Sequence, residues 1–356
     1  MRSLALVVAF AACTAHSGAP NDGSGDDGPQ CQTQPMLITM HPYAVLQPTT
    51  TGQDLADTRG FAGRLYFGYG DLGANTGPIE VTGYDPVANQ WIDNFNYQTE
   101  QIRRFDPIED QLWAPSGQPF GAFGDDYAVG TATNDWGSGG IPMGRALHVI
   151  EAVERAPGDI YLTGEDLFGS DSSTITSAAI WRSQNGGPFT EIFPEYNADP
   201  TIQNNQLNSW FFNAAALNGT LYVNYGWAFD GTSLVPPGAD LGEFQHPTTF
   251  AGNIVSSTLG QLWAFDGTAM HDLDFTLFVG TGIELTTGQP LPIFQQTEGH
   301  LLALDVAGRV MATTDLATWS CVGQAPADVR SIGSLNGTIY FGGAGGRIYG
   351  FPAPSW

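Results

Sequence analysis

Asn218-Gly219-Thr220-Leu221-Tyr222-Val223 and Asn336-Gly337-Thr338-Ile339-Tyr340-Phe341 share one pattern, a tight-turn dipeptide followed by an apolar–aromatic run. Asn-Gly ahead of such a run is a hairpin signal, because both central residues of the favoured two-residue turn need positive φ. Looser versions recur at Gly63-Arg64-Leu65-Tyr66-Phe67, Asp110-Gln111-Leu112-Trp113-Ala114, Gly158-Asp159-Ile160-Tyr161-Leu162 and Gly299-His300-Leu301-Leu302-Ala303. The weakest is Gly252-Asn253-Ile254-Val255. That gives seven anchors, separated by roughly 33 to 61 residues and on average by about 46.

Each anchor has a short apolar strand before it and another after it. Several units show a third strand, as in residues 79–85, 178–182 and 346–350. Trp227-Ala228-Phe229-Asp230-Gly231-Thr232 and Trp263-Ala264-Phe265-Asp266-Gly267-Thr268 are near duplicates about one unit apart. A period of about 40–50 residues built from short strands predicts an all-β ring of blades, a β-propeller. Seven anchors predict seven blades. A six-bladed ring follows if the weak fifth anchor is not a blade, and a pair of stacked sheets is a further alternative. The ring is expected to span residues 36–356, with 36–46 closing the last blade beside residues 347–351.

Two resemblances accompany the repeat. Residues 81–91, Val-Thr-Gly-Tyr-Asp-Pro-Val-Ala-Asn-Gln-Trp, look like the second half of a kelch repeat, and Ile339-Tyr340-Phe341-Gly342-Gly343 looks like its glycine pair. Ser183-Gln184-Asn185-Gly186-Gly187-Pro188-Phe189 and Thr314-Asp315-Leu316-Ala317-Thr318-Trp319 resemble degenerate Asp-boxes. These resemblances imply a propeller architecture and no particular activity.

The chain carries 36 acidic and 11 basic residues, all of the latter Arg, for a net charge of −25. Nucleic-acid binding rests on neutralising phosphates, so this balance argues against it. It argues equally against docking on an anionic membrane through basic patches.

At the N-terminus, Arg2 precedes an apolar run over residues 4–12 and then Cys13. This has the form of an export signal. Phe10-Ala11-Ala12-Cys13 resembles a bacterial lipobox, which implies a signal peptide over 1–12 and lipid attachment at Cys13. Cleavage without lipidation, giving a secreted protein, is the alternative. Residues 13–35, rich in Asp, Gly and Ser, read as a flexible acidic tether. Cys31 and Cys321 are then left as a pair, and in an oxidising compartment they are expected to form a disulfide. The expected address is a bacterial cell envelope, facing an extracytoplasmic space, as a monomer that meets the membrane only through its lipid.

The innermost strand of each blade lies just ahead of its anchor and lines the central channel. That position holds Arg59 in the first unit, Arg103 and Arg104 in the second, and Arg145 and His148 in the third. Trp210 and Phe211 follow in the fourth, His246 in the fifth, Gln295 and Gln296 in the sixth and Arg330 in the seventh. Arg in one place of an acidic protein suits a carboxylate or phosphate ligand. The plainer alternative is that these Arg residues pair with neighbouring acids and hold blades together. The loop over 68–78 adds Tyr69, Asp71 and Asn75, whose side chains and surrounding glycines suit a sugar or peptide.

The expected ligand site is therefore Arg59, Tyr69, Asp71, Asn75, Arg104, Arg145, His148 and Arg330. It would serve a module that binds a glycan or protein partner. A glycan-active hydrolase or lyase, sialidase-like or another glycosidase, using the same face is the alternative. No nucleophile motif, phosphate loop or zinc spacing occurs, and no cofactor or metal is expected.

Overall fold

The computed structural model describes residues 29–118, 120, 125–141, 146–168, 175–192, 213–223, 227–235, 245–258, 260–283 and 290–354. The signal segment, most of the tether, Cys13, Arg145, Trp210 and Phe211 lie outside the described residues.

The chain folds as a seven-bladed β-propeller of seven four-stranded antiparallel sheets. Blade 1 consists of Asp57–Phe61, Arg64–Gly68, Ile79–Asp85 and Gln90–Tyr97. The innermost strands of blades 2 to 6 are Asp106–Ile108, Ala146–Ala156, Ala214–Leu217, Gln245–Phe250 and Phe294–Thr297. Blade 7 is assembled from both ends of the chain: Val329–Leu335, Thr338–Gly343 and Arg347–Pro352, with Met36–Met40 as its outer strand. A two-stranded ribbon, Val279–Ile283 with Pro290–Pro292, stands between blades 5 and 6.

All seven anchors form second strands, including the weak one, which is Asn253–Thr258 of blade 5. In six of them the leading apolar side chain, Leu65, Leu112, Leu221, Ile254, Leu301 or Ile339, is 0% exposed. The near-duplicate Trp-Ala-Phe runs are the third strands of adjacent blades, 4 and 5.

Turn chemistry explains the register. In five blades both central residues of the first hairpin have positive φ: Ala62-Gly63, Asn218-Gly219, Ala251-Gly252, Glu298-Gly299 and Asn336-Gly337. The turn after the third strand is held by an Asp in four blades. Asp85, Asp230, Asp266 and Asp315 each accept the backbone N–H groups two and three residues on. An Asp side chain folding back on its own turn supplies acceptors that the backbone lacks there.

The seam where the ring closes is tight. A Cβ on Gly333 would lie 2.2 Å from the Thr58 carbonyl oxygen, and one on Gly60 would lie 2.3 Å from that of Ser334. Only glycine lets the inner strands of blades 7 and 1 approach this closely. Thr58 Oγ1 and Ser331 Oγ bond across the seam at 2.7 Å. The N-terminal segment is fastened first to blade 6, where a disulfide joins Cys31 to Cys321 with Cα atoms 5.4 Å apart. Gln324 adds its N–H to the Thr33 carbonyl at 2.9 Å and its Nε2 to that of Cys31 at 3.1 Å.

Candidate functional site

Three buried carboxylates tie the inner strands together. Asp57 of blade 1 accepts the Phe105 N–H at 2.7 Å, and Asp106 of blade 2 accepts that of Ala152 at 2.9 Å. Glu151 of blade 3 accepts the Ala214 N–H of blade 4. Each acid thus takes a backbone donor from the next blade. They are 8%, 5% and 2% exposed, so each carries a desolvation cost that calls for a counter-charge. Arg104 provides it for two of them, with Nε 2.7 Å from Asp106 and Nη1 2.5 Å from Glu151. Burial works against the Arg104 charge, but Asp106 and Glu151 outweigh it and hold the pKa above the ordinary arginine value.

Inside this ring lies a cavity of about 420 Å³. Its wall comes from early positions of inner strands, Asp57 and Arg59, His246 and Thr248, Gln295 and Gln296, and Arg330 to Ile332. The connections into blades 1 and 2 add Thr51, Asp54, Gln101, Arg103 and Arg104, and the loop after the second strand of blade 1 adds Asp71, Leu72 and Gly73. In strand Asp57–Phe61 side chains alternate, so Asp57 and Arg59 share the channel side while Thr58 faces the seam.

The cations on this wall are not equivalent. Arg330 donates Nε to Asp54 at 2.6 Å and Nη1 to the carbonyls of Asp328 and Val329. Arg104 also donates to the Pro247 carbonyl at 3.0 Å. Arg59 is 9% exposed and donates one bond, from Nη1 to the Gln296 carbonyl at 3.3 Å. Its Nε has no acceptor, and no carboxylate of the described residues lies within ion-pair distance of it. Burial draws the Arg59 pKa down; nearby Arg104 adds to this, while Asp57 opposes it. His246 is pushed down to about 3 by burial and by Arg104, Arg103 and Arg59, so its ring is neutral at pH 7.

The other expected site residues separate. Asp71 lines the cavity and accepts from Thr49 Oγ1 at 2.7 Å. Tyr69 does not line it. Its side chain is 1% exposed against His41, with ring centroids 4.6 Å apart, and its hydroxyl serves the backbone of Glu80. Asn75 also lies off the cavity wall, in a left-handed backbone conformation that ends a short 3₁₀ turn. His148 is buried beside Glu165, Nδ1 to Oε2 2.8 Å, away from the cavity lining. Arg155 and Arg182 form a separate strut. Both grip Asp159, and they donate to carbonyls of Gly219, Asp230 and Gly231 in blade 4.

The expectation omitted Asp54 and Asp57 from the site and did not note the carboxylate latches. A partial signal for the latches exists: Asp57 and Asp106 each open an inner strand, whereas Glu151 lies midway along its own. Among the described residues no group of three His, Cys, Asp or Glu side chains is placed to hold a metal.

Fold and cavity together define a propeller with an arginine-bearing channel cavity of mixed polar and apolar lining. No protein-family model matches the chain, and no curated protein matches it. Among solved structures, the extracellular domain of the one-component system BT4673 from B. thetaiotaomicron superposes with a TM-score of 0.52 at 11% identity. That alignment covers 89% of this chain and 40% of the other, so the propeller matches less than half of that protein. BamB from Moraxella catarrhalis aligns over 84% of this chain and 86% of its own, at 11% identity and a TM-score of 0.42. The computationally designed Ika8 protein aligns over 84% of this chain and 96% of its own, at 10% identity and a TM-score of 0.46. At these identities the likeness is one of fold.

Proposed function

We propose that the protein is an exported binding module that takes a glycan or protein partner at the channel face of its propeller. The observation that carries this reading is the central cavity, whose wall holds a buried arginine with an unused donor. A buried N–H donor without an acceptor is costly, and a bound ligand that supplies one recovers that cost. Export is supported by the Cys31–Cys321 disulfide, which suits an oxidising compartment, and by the apolar run ahead of Cys13. Lipid attachment at Cys13 would hold the propeller at a membrane through the acidic tether. The kelch-like and Asp-box-like fragments serve the blades' hairpins in this reading.

The test is a glycan array and a partner pull-down with wild type beside Arg59→Ala. Loss of capture in the variant supports the channel face; equal capture places the ligand elsewhere. A glycan-active hydrolase or lyase is the second reading, favoured by Asp54, Asp57 and Asp71 sharing the cavity wall with Arg59. Product analysis of any captured glycan distinguishes the two, since a binding module returns it intact.

A further inference from the structure

We infer that the channel cavity is a site for a small singly charged carboxylate ligand with hydroxyl groups, of the hexuronic acid class, seated on Arg59. The inference rests on the channel-face reading above and names the ligand chemistry. The cavity of about 420 Å³ falls in the range of small-molecule sites and exceeds the need of one sugar ring.

Charge selects the anion. The wall holds four Arg, but Arg330 is committed to Asp54, Arg104 to Asp106 and Glu151, and Arg103 is likewise engaged. His246 is neutral. Arg59 offers its Nε, with no carboxylate of the described residues within ion-pair distance, and a planar carboxylate matches the guanidinium fork. Asp54, Asp57 and Asp71 on the same wall repel a second negative charge, which disfavours a phosphate dianion. The remaining lining favours hydroxyls. Gln101, Gln295, Gln296 and Thr248 supply donors and acceptors, and the three Asp supply acceptors only. Ile293, Phe294 and Ile332 offer an apolar side for a ring's C–H face.

Isothermal titration of the wild type with glucuronate, glucuronamide, glucose and glucose 6-phosphate tests the claim. Glucuronate is expected to bind at least 10-fold more tightly than each of the others. Arg59→Lys keeps a cation but removes the fork, and is expected to weaken glucuronate at least 10-fold. Gln101→Glu, an isosteric change on the wall, is expected to weaken it several-fold. Arg347→Ala, whose arginine pairs with Asp328 away from the cavity, is expected to bind as wild type does. Equal binding of glucuronate and glucuronamide overturns the inference, as does tighter binding of glucose 6-phosphate. If Arg59→Lys does not fold, the wild-type ligand series and Gln101→Glu decide alone. A wild type that ignores glucuronate yet is captured by a neutral glycan, with capture lost in Arg59→Ala, overturns this inference and leaves the channel-face reading standing.

Discussion

Ala62 and Ala251 hold left-handed backbone angles, φ 48° and 49°, which L-residues other than Asn and Asp enter at a cost of about 1–2 kcal/mol. Both stand where two other blades carry the Asn of Asn-Gly. Ala62→Asn with Ala251→Asn should therefore stabilise the fold by about 1 kcal/mol in urea denaturation. Buried His41 shows the opposite economy. Its Nδ1 accepts the N–H groups of Tyr43 and Ala44, so the neutral ring carries its proton on Nε2, facing Thr82 Oγ1 at 3.3 Å. Burial pushes its pKa down to about 3. The unfolded chain takes up a proton near pH 6.5 that the folded chain refuses, so stability falls as pH drops from there towards 3. His246 acts in the same direction, while Asp126, raised to about 6 by burial, acts against it. The slope of unfolding free energy between pH 6 and 4 should differ between wild type and His41→Gln by up to about 1.4 kcal/mol per pH unit. An unchanged slope would mean that His41 is already charged in the fold.

At the scale of elements, the inner strands are held by latches rather than by a shared sheet. Asp106→Ala would leave the Ala152 N–H without its acceptor and Arg104 with half its counter-charge. That change should cost roughly 3 kcal/mol in chemical denaturation. Gly333→Ala should cost a similar roughly 1–3 kcal/mol by forcing apart the inner strands of blades 7 and 1. The strands themselves were legible, because turn dipeptides and apolar alternation act locally. The latches were harder to see, since an acid that serves the next blade looks in sequence like any polar strand residue. Arg104 illustrates the difficulty: its channel position was legible, but its commitment to Asp106 and Glu151 depends on partners in two blades. Tyr69 sits in a glycine-rich loop that reads as ligand-facing, yet the hydroxyl is used by Glu80 and the ring by His41.

For the whole molecule, seven blades follow from the anchors because each unit buries its faces only against its neighbours. The weak fifth anchor still makes a blade, since Ile254 and Val255 are both 0% exposed despite lacking an aromatic between them. The cavity wall draws on the inner strands of four blades and on two connections, so inner-strand positions point to Arg59 and Arg330 but not to Asp54, which sits in a connection. The Cys31–Cys321 link closes a loop across a sequence separation of 290 residues, for which the chain-entropy model gives about 6 kcal/mol. Replacing both by Ser should lower the melting temperature and make it independent of reductant.

That link also decides how the molecule bears load. Tension applied ahead of Cys31 passes through sulfur into blade 6 and bypasses Met36–Met40, so the outer strand of blade 7 is not peeled away. Pulled from Pro29 to the C-terminus, the oxidised chain can pay out only the residues beyond the link, about 120 Å at roughly 3.4 Å each. Reduced, it should lengthen by about 1,100 Å on the same basis, a difference that optical tweezers resolve directly. A propeller moored by its N-terminus would thus keep its ring intact under drag for as long as its surroundings stay oxidising.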